Sequence, residues 1–289
     1  MKNWLLVLTF FSLWLTTMFD SDIQQYLAYA IILTVGVLHG ANDITLIKTI
    51  SSKRGSKVRY SKVLLYYLIT VLLILAVFFV YPPLALTLFI LISSYHFGEQ
   101  HLKQATVSSH LLSKSCYFFY GLVILFMIFT LNVNKTAPIF LEVTGFEPSP
   151  IFFGTTLAIA IVGLLISYSV LWYRKQVHLN VLEELAFLVI LALVFTVADL
   201  LWAFGIYFVL WHSVPSLRDQ IQLLHGKAEI QGLKTYLKTS WLYWLASIVG
   251  LVVLYLVLQG NNDYFISILV YFLAAITFPH VIVMSRIED

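Results

Sequence analysis

The sequence predicts an all-α membrane protein: a polytopic helix bundle of about ten transmembrane helices, one integral-membrane domain over residues 1–289, with both termini cytoplasmic. Three observations predict it. Hydrophobic residues make up 61% and charged residues 11% of the 289 positions, with a mean hydropathy of +0.92, whereas soluble domains are roughly 45–50% apolar. The apolar residues gather into runs of the length a helix needs to cross hydrocarbon, about 17–25 residues. The basic residues sort to one side of those runs.

The first run, 4–19, is N-terminal, and it is read as retained because "TTMFDSD" offers no small-residue cleavage site. "DSD" at 20–22 separates it from the second run, 26–47. The third run, 63–80, closes on "YPP" at 81–83, and the fourth, 84–102, and fifth, 111–131, follow. "EPSP" at 147–150 opens the sixth, 151–173. Then come 182–200, 202–222 and 241–259, with "GNND" at 260–263 turning into the tenth, 264–285. These breaks are turn chemistry, and no low-complexity tract or long linker interrupts the series.

Short cytoplasmic loops retain Lys and Arg, which orients the bundle. With the N-terminus inside, the inner side collects Lys2, Lys48, Lys53, Arg54, Lys57, Arg59, Lys62, Lys103, Lys114, Arg174, Lys175, Arg218, Lys227, Lys234, Lys238 and Arg286, sixteen of seventeen basic residues, leaving Lys135 outside. An error in span number would scramble this partition. The net charge of +3 therefore belongs to membrane-flanking loops, and no nucleic-acid partner is expected. The single cysteine, Cys116, excludes an internal disulfide framework and any cysteine-based metal site, and reads as a small buried apolar residue.

Eight histidines divide by topology. His101, His110, His178 and His225 fall at or near the cytoplasmic surface. His39, His96, His212 and His280 lie inside the second, fourth, eighth and tenth runs. His39 precedes Lys48 by nine residues, His96 precedes Lys103 by seven, and His212 and His280 precede Arg218 and Arg286 by six each. At about 1.5 Å per residue all four lie roughly 9–14 Å before the inner boundary, in one layer. A lone intramembrane histidine is ordinarily a hydrogen-bonded packing residue. Four at one depth on four helices are better explained as neutral imidazoles converging on a transition metal.

The surroundings suit such a site. Gly40, Gly98, Pro215 and Pro279 lie beside the four histidines, where small residues permit close helix approach and prolines distort helices locally. Asp43 follows His39 by four residues and Glu99 follows His96 by three, so each carboxylate shares a helix face with its histidine. Helix-end solvation would explain them. So would a supporting role, in which a carboxylate accepts the far ring N–H, fixes the tautomer and offsets the metal's charge.

The stretches "GVLHGANDI", "SSYHFGEQ", "LWHSVPSLRD" and "TFPHVIV", spread in order over residues 36–283, resemble the signature blocks of the Brp/Blh family of β-carotene 15,15′-dioxygenases. The resemblance implies a polytopic membrane enzyme that uses Fe(2+) held by histidines, and O2, to split the central double bond of β-carotene into two retinals. It implicates His39 and Asp43, His96 and Glu99, His212, and His280. One position departs: some members carry a second histidine four residues after the equivalent of His212, and here Ser216 stands there. A hydroxyl is a poor ligand for ferrous iron, so either His280 completes the set or three protein ligands suffice. Tyr95 and Trp211, each preceding a ligand candidate, are read as lining a lateral tunnel for β-carotene, with helix packing as the alternative. Membrane lipid surrounds the chain, the location expected is a bacterial cytoplasmic membrane, and the retinal formed would pass to a rhodopsin.

Two rivals stand beside this reading. Paired intramembrane histidines also ligate haem in electron carriers, although two haems spanning a membrane normally need ligands at two depths. A transporter using His39, Asp43 and Glu99 as a proton relay is the other, and no convincing internal repeat supports it.

Overall fold

The computed structural model describes residues 2–55, 59–107, 111–226, 228–258 and 265–288. It is 89% helix, and among the described residues there is no strand, only one antiparallel bridge between Thr106 and Val177. His110, Lys57, Lys227 and the "GNND" turn, all used in the sequence reading, lie outside the described residues.

The helices are α1 (Lys2–Met18), α2 (Ser21–Ile31), α3 (Asp43–Lys53), α4 (Tyr60–Val80), α5 (Pro82–Leu102), α6 (Leu111–Leu131) and α7 (Val133–Thr144). They continue as α8 (Pro150–Tyr173), α9 (Val181–Val197), α10 (Leu200–Ile206), α11 (Val214–His225), α12 (Ile230–Val257) and α13 (Phe265–Glu288). Their starts follow local chemistry. Asp20, Ser149, Asn180 and Asp199 each accept a first-turn backbone N–H with the side chain, which satisfies donors a helix start leaves open.

Six helices among the described residues are long and apolar enough to cross a membrane: Tyr60–Val80, Leu111–Leu131, Pro150–Tyr173, Leu200–His225, Ile230–Val257 and Phe265–Ser285. α5 has the length, but its polar C-terminal third dilutes its apolarity. α4, α8 and α12 bury little of their apolar surface inside the protein, and leucines such as Leu72, Leu165 and Leu256 stand exposed on them. An exterior of that composition is solvated by lipid rather than water.

The second run, 26–47, is not one continuous helix. α2 passes into a wider π-helical stretch, Ile32–Gly36, and residues 39–42 form tight turns before α3 begins. There the Gly40, Ala41 and Asp43 N–H groups bond back three residues. Carbonyls freed at membrane depth must find other donors, and α12 supplies them. The Trp244 indole N–H donates to the Leu33 carbonyl at 2.7 Å, and the Tyr236 hydroxyl lies 3.1 Å from the His39 carbonyl. Asn42 donates to Thr239 Oγ1 at 2.9 Å. A second π-helical stretch, Tyr207–Ser213, carries His212 just before Pro215. Pro279, by contrast, sits inside an unbroken α13. The short α7 was not among the ten runs.

The chain divides into two compact units. The first comprises Met1–Ile32, Ile90–Leu141 and Phe146–His212. Within it α6 packs along α8 and also meets α9 and α10, while α10 lies against α2. The second comprises Leu33–Phe89, Glu142–Gly145 and Ser213–Asp289. Within it α13 packs against α4, α3 and α12, and α11 against α12 and α3.

Candidate metal centre

All four histidines are buried: His39 is 5%, His96 2%, His212 1% and His280 4% exposed. In the second unit, the interruption of the second run places His39 on a turn and Asp43 at the first residue of α3, where a carboxylate is favoured by the helix dipole. The Asp43 carboxylate does not reach back to His39. It turns to His280 on α13, accepting from Nδ1 at 2.9 and 3.1 Å, and its Oδ2 also accepts the Tyr67 hydroxyl at 3.1 Å. The His39 and His280 rings stand edge to face with centroids 4.8 Å apart. His39 Nδ1 bonds to the Gly36 carbonyl, which only accepts, so the ring donates there. Gly40 packs beside the His280 ring, where an added Cβ would make an ordinary contact, 3.5 Å from Nδ1.

In the first unit, His96 on α5 and His212 form the other pair, with centroids 4.8 Å apart at 75°. Phe97 and Phe208 pack against the His212 ring at 4.7 and 5.7 Å. The His96 helix is held by two glycines. A Cβ on Gly98 would fall 1.8 Å from the Tyr117 carbonyl oxygen, and one on Gly121 would fall 1.8 Å from the Ser94 carbonyl oxygen. α5 and α6 therefore touch backbone to backbone on both sides of His96, an approach only glycine permits.

Glu99 accepts the Tyr95 hydroxyl at 2.5 Å through Oε1. Trp211 is buried, donates its indole N–H to Thr9 Oγ1 at 2.9 Å, and lies 4.2 Å from the Phe187 ring. Both aromatic residues read as tunnel lining thus make packing or hydrogen-bond contacts inside the first unit. Ser216 is fully buried and accepts from Gln220 Nε2 at 3.2 Å. Gln220 Oε1 in turn accepts the Tyr236 hydroxyl at 2.8 Å. A polar chain therefore runs from Ser216 to the backbone carrying His39.

His101 corrects the surface assignment made from sequence. Its side chain is 9% exposed, its Nε2 lies 2.9 Å from Glu184 Oε1, and its ring is stacked between Tyr120 and Phe187. Tyr120 also donates to Glu184. His178 and His225 are exposed, as expected.

The donor set suits a divalent transition metal. Engagement of Nδ1 on His39 and His280 by acceptors leaves the lone pair of each neutral ring on Nε2, the arrangement in which carbonyls and carboxylates orient metal-ligating imidazoles. Among the described residues, no group of three or more His, Cys, Asp or Glu side chains is arranged to hold a metal ion. What each unit presents is a pair of imidazoles. Tyr67, Gln220, Tyr236 and the Gly36 carbonyl, which support the second pair, carried no motif signal, because each reaches the site by a contact made in three dimensions.

The family model described as β-carotene 15,15′-dioxygenase matches residues 30–288. No curated protein and no solved structure matches the chain.

Proposed function

The chain belongs to the β-carotene 15,15′-dioxygenase family, and from that premise we propose that it splits the central 15,15′ double bond of β-carotene with O2, giving two retinals, at ferrous iron held by His39, His96, His212 and His280. The observation that best supports a metal role is the buried Asp43–His280 pair with His39 beside it. Motif residues from the two ends of the match meet there.

When bound, ferrous iron supplies the one-electron reactivity toward O2 that a closed-shell polyene lacks. The chain's residues prepare for it. The Gly36 carbonyl and the Asp43 carboxylate fix the tautomers of His39 and His280, and Asp43 offsets part of the divalent charge that four neutral imidazoles leave uncompensated. Tyr67 holds the second carboxylate oxygen in place. Phe97 and Phe208 cover the His212 ring with apolar surface. No protein nucleophile is required, since the oxidant is O2. Tyr95 and Trp211 border the path of a substrate that enters laterally from lipid. The chain crosses a bacterial cytoplasmic membrane about ten times as a single domain with both termini inside, and its retinal is passed to a rhodopsin.

Expression in a bacterium that accumulates β-carotene tests the reading. Loss of orange colour with appearance of retinal is the expected outcome. Unchanged pigment in cells that contain the folded protein would overturn it.

A further inference from the structure

The second unit contains a cavity of about 260 Å³ whose lining includes Asp43, the partner of His280. One wall is α4, contributing Leu64, Tyr67, Leu68, Val71 and Leu75. The facing wall is α12, contributing Tyr243, Ala246, Ser247, Gly250 and Leu254 at the same spacing of three, one, three and four residues. Two helical stripes of that period line the cavity, and each covers twelve residues, eleven steps or roughly 16 Å at the α-helical rise. The middle of the α12 stripe is small, and a Cβ on Gly250 would meet nothing within 4 Å. Asp43 and Tyr67 lie at one end, while Leu75, Leu254 and Phe272 add only apolar surface toward the other.

We propose that this trough seats one half of the polyene, with the bond to be cut toward Asp43 and His280 and the end ring among Leu75, Leu254 and Phe272. The proposal rests on the carotenoid reading above and adds to it the residues that select the substrate's ends. The volume lies just under the roughly 300–1,000 Å³ of compact small-molecule pockets, so it takes one arm of a long molecule and not the whole. The lining reaches Gly40 and Asp43, which neighbour the candidate ligands His39 and His280, and a seat for a bulk acyl chain would not need to do so. A hydroxyl on the end ring would find no partner among Leu75, Leu254 and Phe272, which penalises it. Apolar pockets discriminate against an added hydroxyl only moderately, on the order of 10- to 100-fold.

The test uses the full-length protein in detergent, stripped of iron with a chelator, incubated with β-carotene and repurified, with bound pigment per protein read by absorbance. Wild type and the control Gly154→Trp, on α8 in the first unit where a Cβ also meets nothing, should retain pigment equally. Gly250→Trp should lower retention at least about tenfold by filling the trough, and the smaller Ala246→Leu should lower it in the same direction. If Gly250→Trp fails to fold, Ala246→Leu is decisive. Wild-type retention in a folded trough variant overturns the proposal, as does mass spectrometry showing that the substitution displaces only acyl lipid. Equal retention of a carotenoid with hydroxylated end rings overturns the assignment of the apolar end. The activity itself is read separately, as retinal formed by iron-loaded wild type. Pigment bound without retinal fails the activity and leaves the trough standing, whereas retinal formation with unchanged KM in Gly250→Trp fails the trough alone.

Discussion

Asp43 and His280, 237 residues apart in sequence, form a buried pair in which one carboxylate holds Nδ1 of the imidazole at 2.9 and 3.1 Å. A buried carboxylate is expensive unless its oxygens are matched, and here Tyr67 supplies a further donor. The geometry commits the ring to one tautomer and aims Nε2 away from Asp43.

Replacing Asp43 with Asn keeps the shape but removes the charge and the strong acceptor pair. Loss of such a supporting carboxylate ordinarily weakens metal affinity about 10- to 100-fold. Iron titration of the purified Asp43→Asn variant should show a weakening in that range. Wild-type affinity would mean that the pair serves packing rather than a metal.

His280→Ala should abolish both iron retention and retinal formation. Ser216→Ala should leave much of each, because it removes one acceptor from the chain linking Gln220 and Tyr236 to the His39 backbone, a loss worth about 1 kcal/mol. His225→Ala, an exposed change, should be silent. Metal analysis and pigment extraction of the three variants in parallel check this order, and iron kept by His280→Ala but lost by Ser216→Ala would reverse the ligand assignment.

Gly98→Ala should be severely destabilising, since its Cβ would collide with the Tyr117 carbonyl and push apart the α5–α6 contact that flanks His96. Gly154→Ala, with open space around it, should be neutral or slightly stabilising by helix propensity. Thermal unfolding in detergent separates the two. Similar melting temperatures would show that the backbones do not need to touch.

Much of the fold was legible because it depends on periodicity and length: apolar runs forecast α4, α5, α6, α8 and α13 closely. The break at residues 39–42 was not, since nothing in "HGAND" says that Tyr236 and Trp244, some two hundred residues later, will satisfy the freed carbonyls. The candidate histidines were legible as buried, but not their pairing of 39 with 280 and 96 with 212. Asp43 was read as sharing a helix face with His39, whereas it bonds His280, because the helical spacing that joined it to His39 disappears at the turn. His101 was misplaced for a related reason. Proximity to a helix end suggested solvent, and the buried Glu184 that meets it lies 83 residues away.

Reporters placed in the loop over 48–62 and at both termini should all lie on the cytoplasmic side, as the partition of basic residues requires. A reporter at 135 should lie on the other side. An external C-terminal signal would mean that the number of spans is odd.

The most direct measurement is product analysis with purified, iron-loaded protein given β-carotene and O2. Retinal as the sole carotenoid product, two molecules for each β-carotene consumed as central cleavage demands, is the predicted result. Unequal fragments, or β-carotene returned intact by protein that has taken up iron, would contradict the account.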